Sequence, residues 1–196
     1  MVTPCFPSFL LLLSISKMVY STSPDWPEVC EGIKMRKDWG GRIPVAVDYA
    51  IVPVKYVIVH HTVTPECETE SSCAITIRGI QDFHMDTLEF HDVGYNFLVG
   101  GDGNIYEGAS WHKVGAHTRG YNSRSMGLAF IGNFSSKKPS VKQLEAAKKF
   151  LNCAVELGEL DRNYTLFGAR QVSATASPGN QLFSEIKTWK HFTESP

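Results

Sequence analysis

The chain has 196 residues, 43% of them hydrophobic and 20% charged, with a formal net charge of -1. That length buries one full core and allows one domain with short appendages. So even a charge balance leaves no long-range field to gather nucleic acid or an anionic membrane, and a ligand must be held by a shaped site.

The apolar run from Phe6 to Ile15 is too short to span a bilayer. With small residues after Val19-Tyr20 it reads as a secretory signal peptide ending at Ser21, although no Lys or Arg precedes the run. Its removal takes Cys5 and leaves Cys30, Cys67, Cys73 and Cys153. An even cysteine count in a secreted chain implies disulfides, with three pairings open. Cys67 and Cys73 bracket a short polar loop and pair at little geometric cost, which leaves Cys30 to tie the N-terminal segment to Cys153. The Cys-x-x-Cys spacing of a zinc site is missing. Asn133-Phe-Ser and Asn163-Tyr-Thr are glycosylation acceptor sequences.

Residues 22–41 read as an N-terminal arm with Trp39 available for packing, and residues 42–196 as the folded domain. Residues 42–53, with two prolines, predict an extended connection with at most a short edge strand. Tyr56-Val-Ile-Val59 is an apolar β-branched run that predicts a central strand buried on both faces. It ends in His60-His61-Thr62, which puts imidazoles where α/β sheets keep their clefts. Ser72 is positioned to cap a helix from about Cys73 to Leu88, with His84 on or beside its buried stripe. A second strand follows from Asp92, and Asp102-Gly103 predicts a hairpin turn returning through Asn104–Glu107. Residues 109–121 have no period and read as a recognition loop. Met126–Ile131 is another strand, and Ser140-Val-Lys-Gln143 is a capping box for a helix that stops at Gly158. Thr165–Phe167 predicts a last short strand and Gln181–Trp189 a C-terminal helix. The interleaving predicts an α/β domain: a mixed central β-sheet flanked by α-helices.

Several motifs, in order, resemble the peptidoglycan recognition protein family across nearly the whole of residues 39–189. They are Val-Ile-Val-His60-His-Thr, Asp92-Val-Gly-Tyr95-Asn-Phe, Gly101-Asp-Gly-Asn-Ile-Tyr-Glu-Gly, Gly115-Ala-His117, Tyr121-Asn122-Ser, Ile131-Gly-Asn-Phe and Gly168-Ala-Arg-Gln-Val-Ser-Ala-Thr-Ala-Ser-Pro-Gly179. The resemblance implies the family's amidase-like fold. It also implies a division by chemistry, since amidase members hold zinc through a central-strand His, a late His and a following Cys, beside a Tyr on the second strand. Here His60 and Tyr95 match, while Ala169 and Ser177 stand at the other two ligand positions. A methyl group donates no electron pair and a neutral serine hydroxyl is a poor zinc ligand, so no metal and no cofactor are expected. His61 alternates to the other face of its strand and is no substitute.

The sequence is most similar to short secreted non-amidase members, including activators of the arthropod Toll pathway. These bind muramyl peptides, usually lysine-type, and act with a glucan-binding-protein co-receptor upstream of a serine protease cascade. The expected ligand-binding residues are His60, Thr62, His84, Tyr95, Trp111, His112, Lys113, His117, Asn122, Thr175 and Ser177. They supply short polar donors and acceptors, with Trp111 as a flat apolar wall. His112-Lys113 occupies the pair that separates lysine-type from diaminopimelate-type ligands, yet it is neither Gly-Trp nor Asn-Phe. An alternative is a weak serine-type L,D-carboxypeptidase, with Ser177 as nucleophile, His60 facing it and Thr175 nearby.

Overall fold

The computed structural model describes residues 30–196; the expected signal peptide and the start of the arm lie outside them. A six-stranded sheet runs in the order β1-β4-β3-β5-β2-β6. Its strands are β1 (Ile33–Lys34), β2 (Val54–His61), β3 (Phe97–Val99), β4 (Ile105–Glu107), β5 (Ser125–Phe130) and β6 (Leu160–Gly168). Among the described strands, β3 and β4 pair antiparallel, through the hairpin anticipated at Asp102-Gly103, and the other strand pairings are parallel. The sheet is therefore mixed. The arm belongs to it from β1 onward, and the short helix α1 (Arg36–Trp39) buries Trp39, whose Nε1 donates to the Glu107 carbonyl at 2.8 Å.

Side-chain alternation along the central strand divides the molecule. Val57 and Val59 face a core made with Leu128, Phe130 and Leu166, and with two helices, α3 (Val141–Glu156) and α4 (Asn180–Ile186). Ser140 accepts from the Gln143 N–H, so the predicted capping box starts α3. On the opposite face Leu98, Ala129 and Ile131 pack against α2 (Glu70–Asp82) through Cys73, Ala74, Ile77 and Ile80. Thr69, not Ser72, caps α2, with Ser72 completing a reciprocal cap three residues on. The helix is not α-helical to Leu88 either: residues Phe83–Thr87 form a π-turn.

Disulfides join Cys67 to Cys73 at the start of α2 and Cys30 to Cys153 on α3. Both acceptor asparagines, Asn133 and Asn163, are exposed.

Candidate functional site

The site lies on the α2 face of the sheet. His60 pairs in register with Ala129 on β5, and Ala129 with Leu98 on β3. The small Ala129 leaves the His60 imidazole room over the sheet, where the Tyr95 ring centroid lies 5.4 Å away. One extra residue per turn in the π-turn re-aims the side chains that follow Asp82. His84 consequently stands 5.6 Å from Tyr95 and 5.5 Å from Phe90, between centroids. Its Nδ1 accepts the Gly94 N–H at 2.9 Å, so the neutral ring carries its proton on Nε2. A cleft of about 470 Å³ opens here, lined by Thr62, Thr64, Thr76, Phe83, His84 and Tyr95. Such a volume suits a small ligand or a short peptide segment.

Behind this wall is a buried polar pair of imidazoles. His60 Nε2 lies 3.1 Å from Thr118 Oγ1, and His117 Nδ1 lies 3.0 Å from the same oxygen. A threonine hydroxyl has one proton, so it donates to one ring and must accept from the other. The two tautomers are thereby coupled. The His117 ring sits over Gly127, where a Cβ would meet it at 2.4 Å, so glycine at this position makes the close approach possible. Asn122 Oδ1 accepts the Thr118 N–H at 2.7 Å and fixes the loop that carries both residues. Desolvation holds His60 well below the ordinary histidine range, with His117 and His61 adding to the effect. Burial lowers His117 to about 4 and also lowers His84. Burial pushes Tyr95 up to about 12, so its phenol stays protonated. The site is a set of neutral donors and acceptors.

His61 points the other way, accepting the Phe134 N–H on Nδ1 at 3.2 Å. Gly168 pairs with Val59, which places Ala169 beside His60 one step past the end of β6. Its methyl group is fully buried with Ile58 and Phe167. Ser177 Oγ accepts the His61 N–H at 3.1 Å, and its own N–H donates to Thr175 Oγ1 at 3.2 Å. With His60 Nε2 against Thr118, the Ser177–His60 contact required of a nucleophile pair is not made. A zinc ion does not fit this set, because a methyl and a backbone-bonded hydroxyl stand where two ligands would be.

Three expected binding residues lie elsewhere. Trp111 is not a cleft wall: its ring stacks on Phe150 of α3 at 5.2 Å and meets Phe97 at a tilt at 4.3 Å, inside the core on the opposite face. His112 Nε2 meets Glu159 Oε1 at 2.8 Å, beside the first residue of β2, at the far end of that strand from His60. Lys113 gives its carbonyl to the Asn96 side chain at 2.9 Å and lines a small separate cavity with Val47 and Asp48. Hydrophobicity and charge alone cannot tell which side of a loop its side chains take. Conversely, the sequence reading missed Thr118, whose only signal was its place beside His117. It also missed Thr76 and Phe83, which fall with Ile80 on one helix face and were legible as a stripe.

Residues 51–180 match the family model described as N-acetylmuramoyl-L-alanine amidase, which defines the class of domain that this sheet and cleft form. The chain is 55% identical to peptidoglycan-recognition protein 2 of Holotrichia diomphalia over 167 residues, covering 85% of this chain and 89% of that protein. The solved structure of Drosophila peptidoglycan recognition protein SA superposes with a TM-score of 0.82 at 46% identity, over 84% of this chain and 95% of that one. Peptidoglycan recognition protein LE, solved in complex with tracheal cytotoxin, a monomeric diaminopimelic acid-type peptidoglycan, gives 0.81 at 41%, over 83% and 96%. The chain belongs to the peptidoglycan recognition protein family.

Proposed function

We propose that this protein is a secreted innate-immune receptor that binds bacterial peptidoglycan without hydrolysing it. The observation that carries the reading is the cleft itself. His84 and Tyr95 converge on a preformed cavity, and Thr62 and Thr64 share its rim, while the metal positions beside His60 hold Ala169 and Ser177. Muramyl peptides offer carboxylates, amides and hydroxyls, which neutral imidazole N–H, phenol and threonine groups recognise without a buried charge. The complex of protein LE with a peptidoglycan fragment supports the ligand class.

The finer reading is that lysine-type stems are preferred, and that the bound receptor works with a glucan-binding-protein co-receptor to start a serine protease cascade leading to Toll signalling. Likeness to protein SA favours it. Co-sedimentation with insoluble lysine-type and diaminopimelate-type peptidoglycan tests both levels. The expected result is retention on the polymer, stronger on the lysine type, and loss of retention in Tyr95→Ala and His84→Ala. Retention unchanged in both variants contradicts the placement of the ligand.

A further inference from the structure

The segment before β2 exposes a row of apolar side chains that the cleft does not use. Ile43 is 86% exposed, Val45 75%, Val47 38%, Tyr49 77% and Ile51 88%. They fall at alternate positions along the chain; the intervening Ala46 and Asp48 are exposed as well, and together with Val47 they border a small cavity against the body, while Ala50 lines the next one. The backbone is fixed on one side only. Ala50 N–H donates to the His112 carbonyl at 2.8 Å and Val114 N–H to the Asp48 carbonyl at 2.9 Å, a single antiparallel bridge between Tyr49 and Lys113. In that pattern the peptide groups of Tyr49 itself point outward. Among the described residues, the N–H groups of Val47, Tyr49 and Ile51 make no hydrogen bond. An apolar edge with free, alternating donors is a template for another strand, and proteins ordinarily blunt such edges with charge.

We propose that this edge pairs antiparallel with the same edge of a second copy, about a two-fold axis through Tyr49. The sequence is self-complementary in that register. Tyr49 faces Tyr49 of the second copy, Val47 faces Ile51 in both directions, and each such pair exchanges its outward hydrogen bonds. Asp48, the one charged residue from Ile43 to Pro53, falls opposite Ala50, so no like charges meet across the pair. Pro44 and Pro53 limit the ribbon at its ends. The odd-numbered side chains of both copies then lie on one face and cover one another, which reduces the apolar surface each copy shows to water. Because this strip does not line the cleft, the inference stands apart from the identity of the ligand.

Sedimentation velocity of the mature chain without ligand, over the micromolar range, tests it. The wild type is expected to show a monomer–dimer equilibrium whose dimer fraction rises with concentration. The double variant Val47→Lys with Ile51→Lys sets like charges opposite each other and is expected to remain monomeric. Val47→Lys with Ile51→Glu carries the same number of charges but pairs opposite signs, and is expected to restore the dimer. The two positions changed are exposed, Val47 at 38% and Ile51 at 88%, and near-ultraviolet circular dichroism confirms that each variant is folded. A wild type that is monomeric at every concentration overturns the proposal, as do two double variants with equal dimer fractions.

Discussion

His60 Nε2 and Thr118 Oγ1 lie 3.1 Å apart, and the same hydroxyl oxygen lies 3.0 Å from His117 Nδ1. One hydroxyl therefore sets the proton positions of two buried imidazoles. Because His60 is in ring contact with Tyr95, that arrangement determines what the cleft presents to a ligand.

Thr118→Val keeps the shape and removes the hydroxyl. A buried hydrogen bond contributes roughly 0.5–1.5 kcal/mol, and an orphaned partner raises the cost of its loss. Peptidoglycan-fragment affinity measured by calorimetry is expected to fall roughly three- to tenfold or more. Thr118→Ser is expected to restore it. Ring ¹⁵N shifts of His60 and His117 should change together in the valine variant; a change in one ring alone contradicts the coupling.

The depressed histidines also make stability depend on pH. Burial lowers His117 from 6.5 to about 4, and His60 and His84 shift the same way. Between the folded and unfolded values the unfolded chain binds the proton and the native fold does not, so stability rises with pH across that window. Above about 6.5 both states are neutral and the effect is flat. Acidification from about 6.5 towards 4 is therefore expected to lower the urea midpoint, with His117 alone contributing on the order of 3 kcal/mol. Replacing His117 by Asn should flatten the profile; an unchanged slope contradicts the assignment.

Trp111 and His112 are adjacent in sequence and differ in energetic role. Truncating the buried Trp111 is expected to cost about 3–5 kcal/mol of folding stability. Removing the largely exposed His112 side chain costs under about 1 kcal/mol. Neither change should alter affinity measured on the folded fraction at fixed occupancy. A specific loss of ligand affinity in His112→Ala would return that residue to the binding surface.

The two disulfides should separate in the same experiment. Cys30 and Cys153 are 123 residues apart and Cys67 and Cys73 only 6. On the loop-entropy account the long bridge is worth about 5 kcal/mol and the short one about 2. Paired serine variants compared by denaturant unfolding are expected to keep that order.

Much of the fold was legible because its signals are local. The β-branched run of β2, the Asp102-Gly103 turn and the Ser140–Gln143 cap each specify their element through nearby atoms. Strand lengths were less legible, since β3 begins only at Phe97 and β6 extends back to Leu160, limits set by neighbouring strands. In the site, His60, His84, Tyr95 and His117 come together as their positions suggested, and His61 alternates away. Trp111, His112 and Lys113 went astray because the side each takes depends on contacts with Phe150, Glu159 and Asn96, remote in sequence. The π-turn that aims His84 has no sequence signal that we can identify. Thr118 was passed over because a lone threonine in a loop is ordinary until two imidazoles are found against it.

The central claim is that this cleft holds peptidoglycan and leaves it intact. The most direct measurement incubates the purified protein with defined lysine-type and diaminopimelate-type muropeptides, with and without added zinc. Bound fraction and reaction products are then read from the same tubes by liquid chromatography. The account predicts binding with every muropeptide recovered unchanged, zinc making no difference. Chelator-sensitive release of whole stem peptides, or release of terminal D-alanine that disappears in Ser177→Ala, would contradict it.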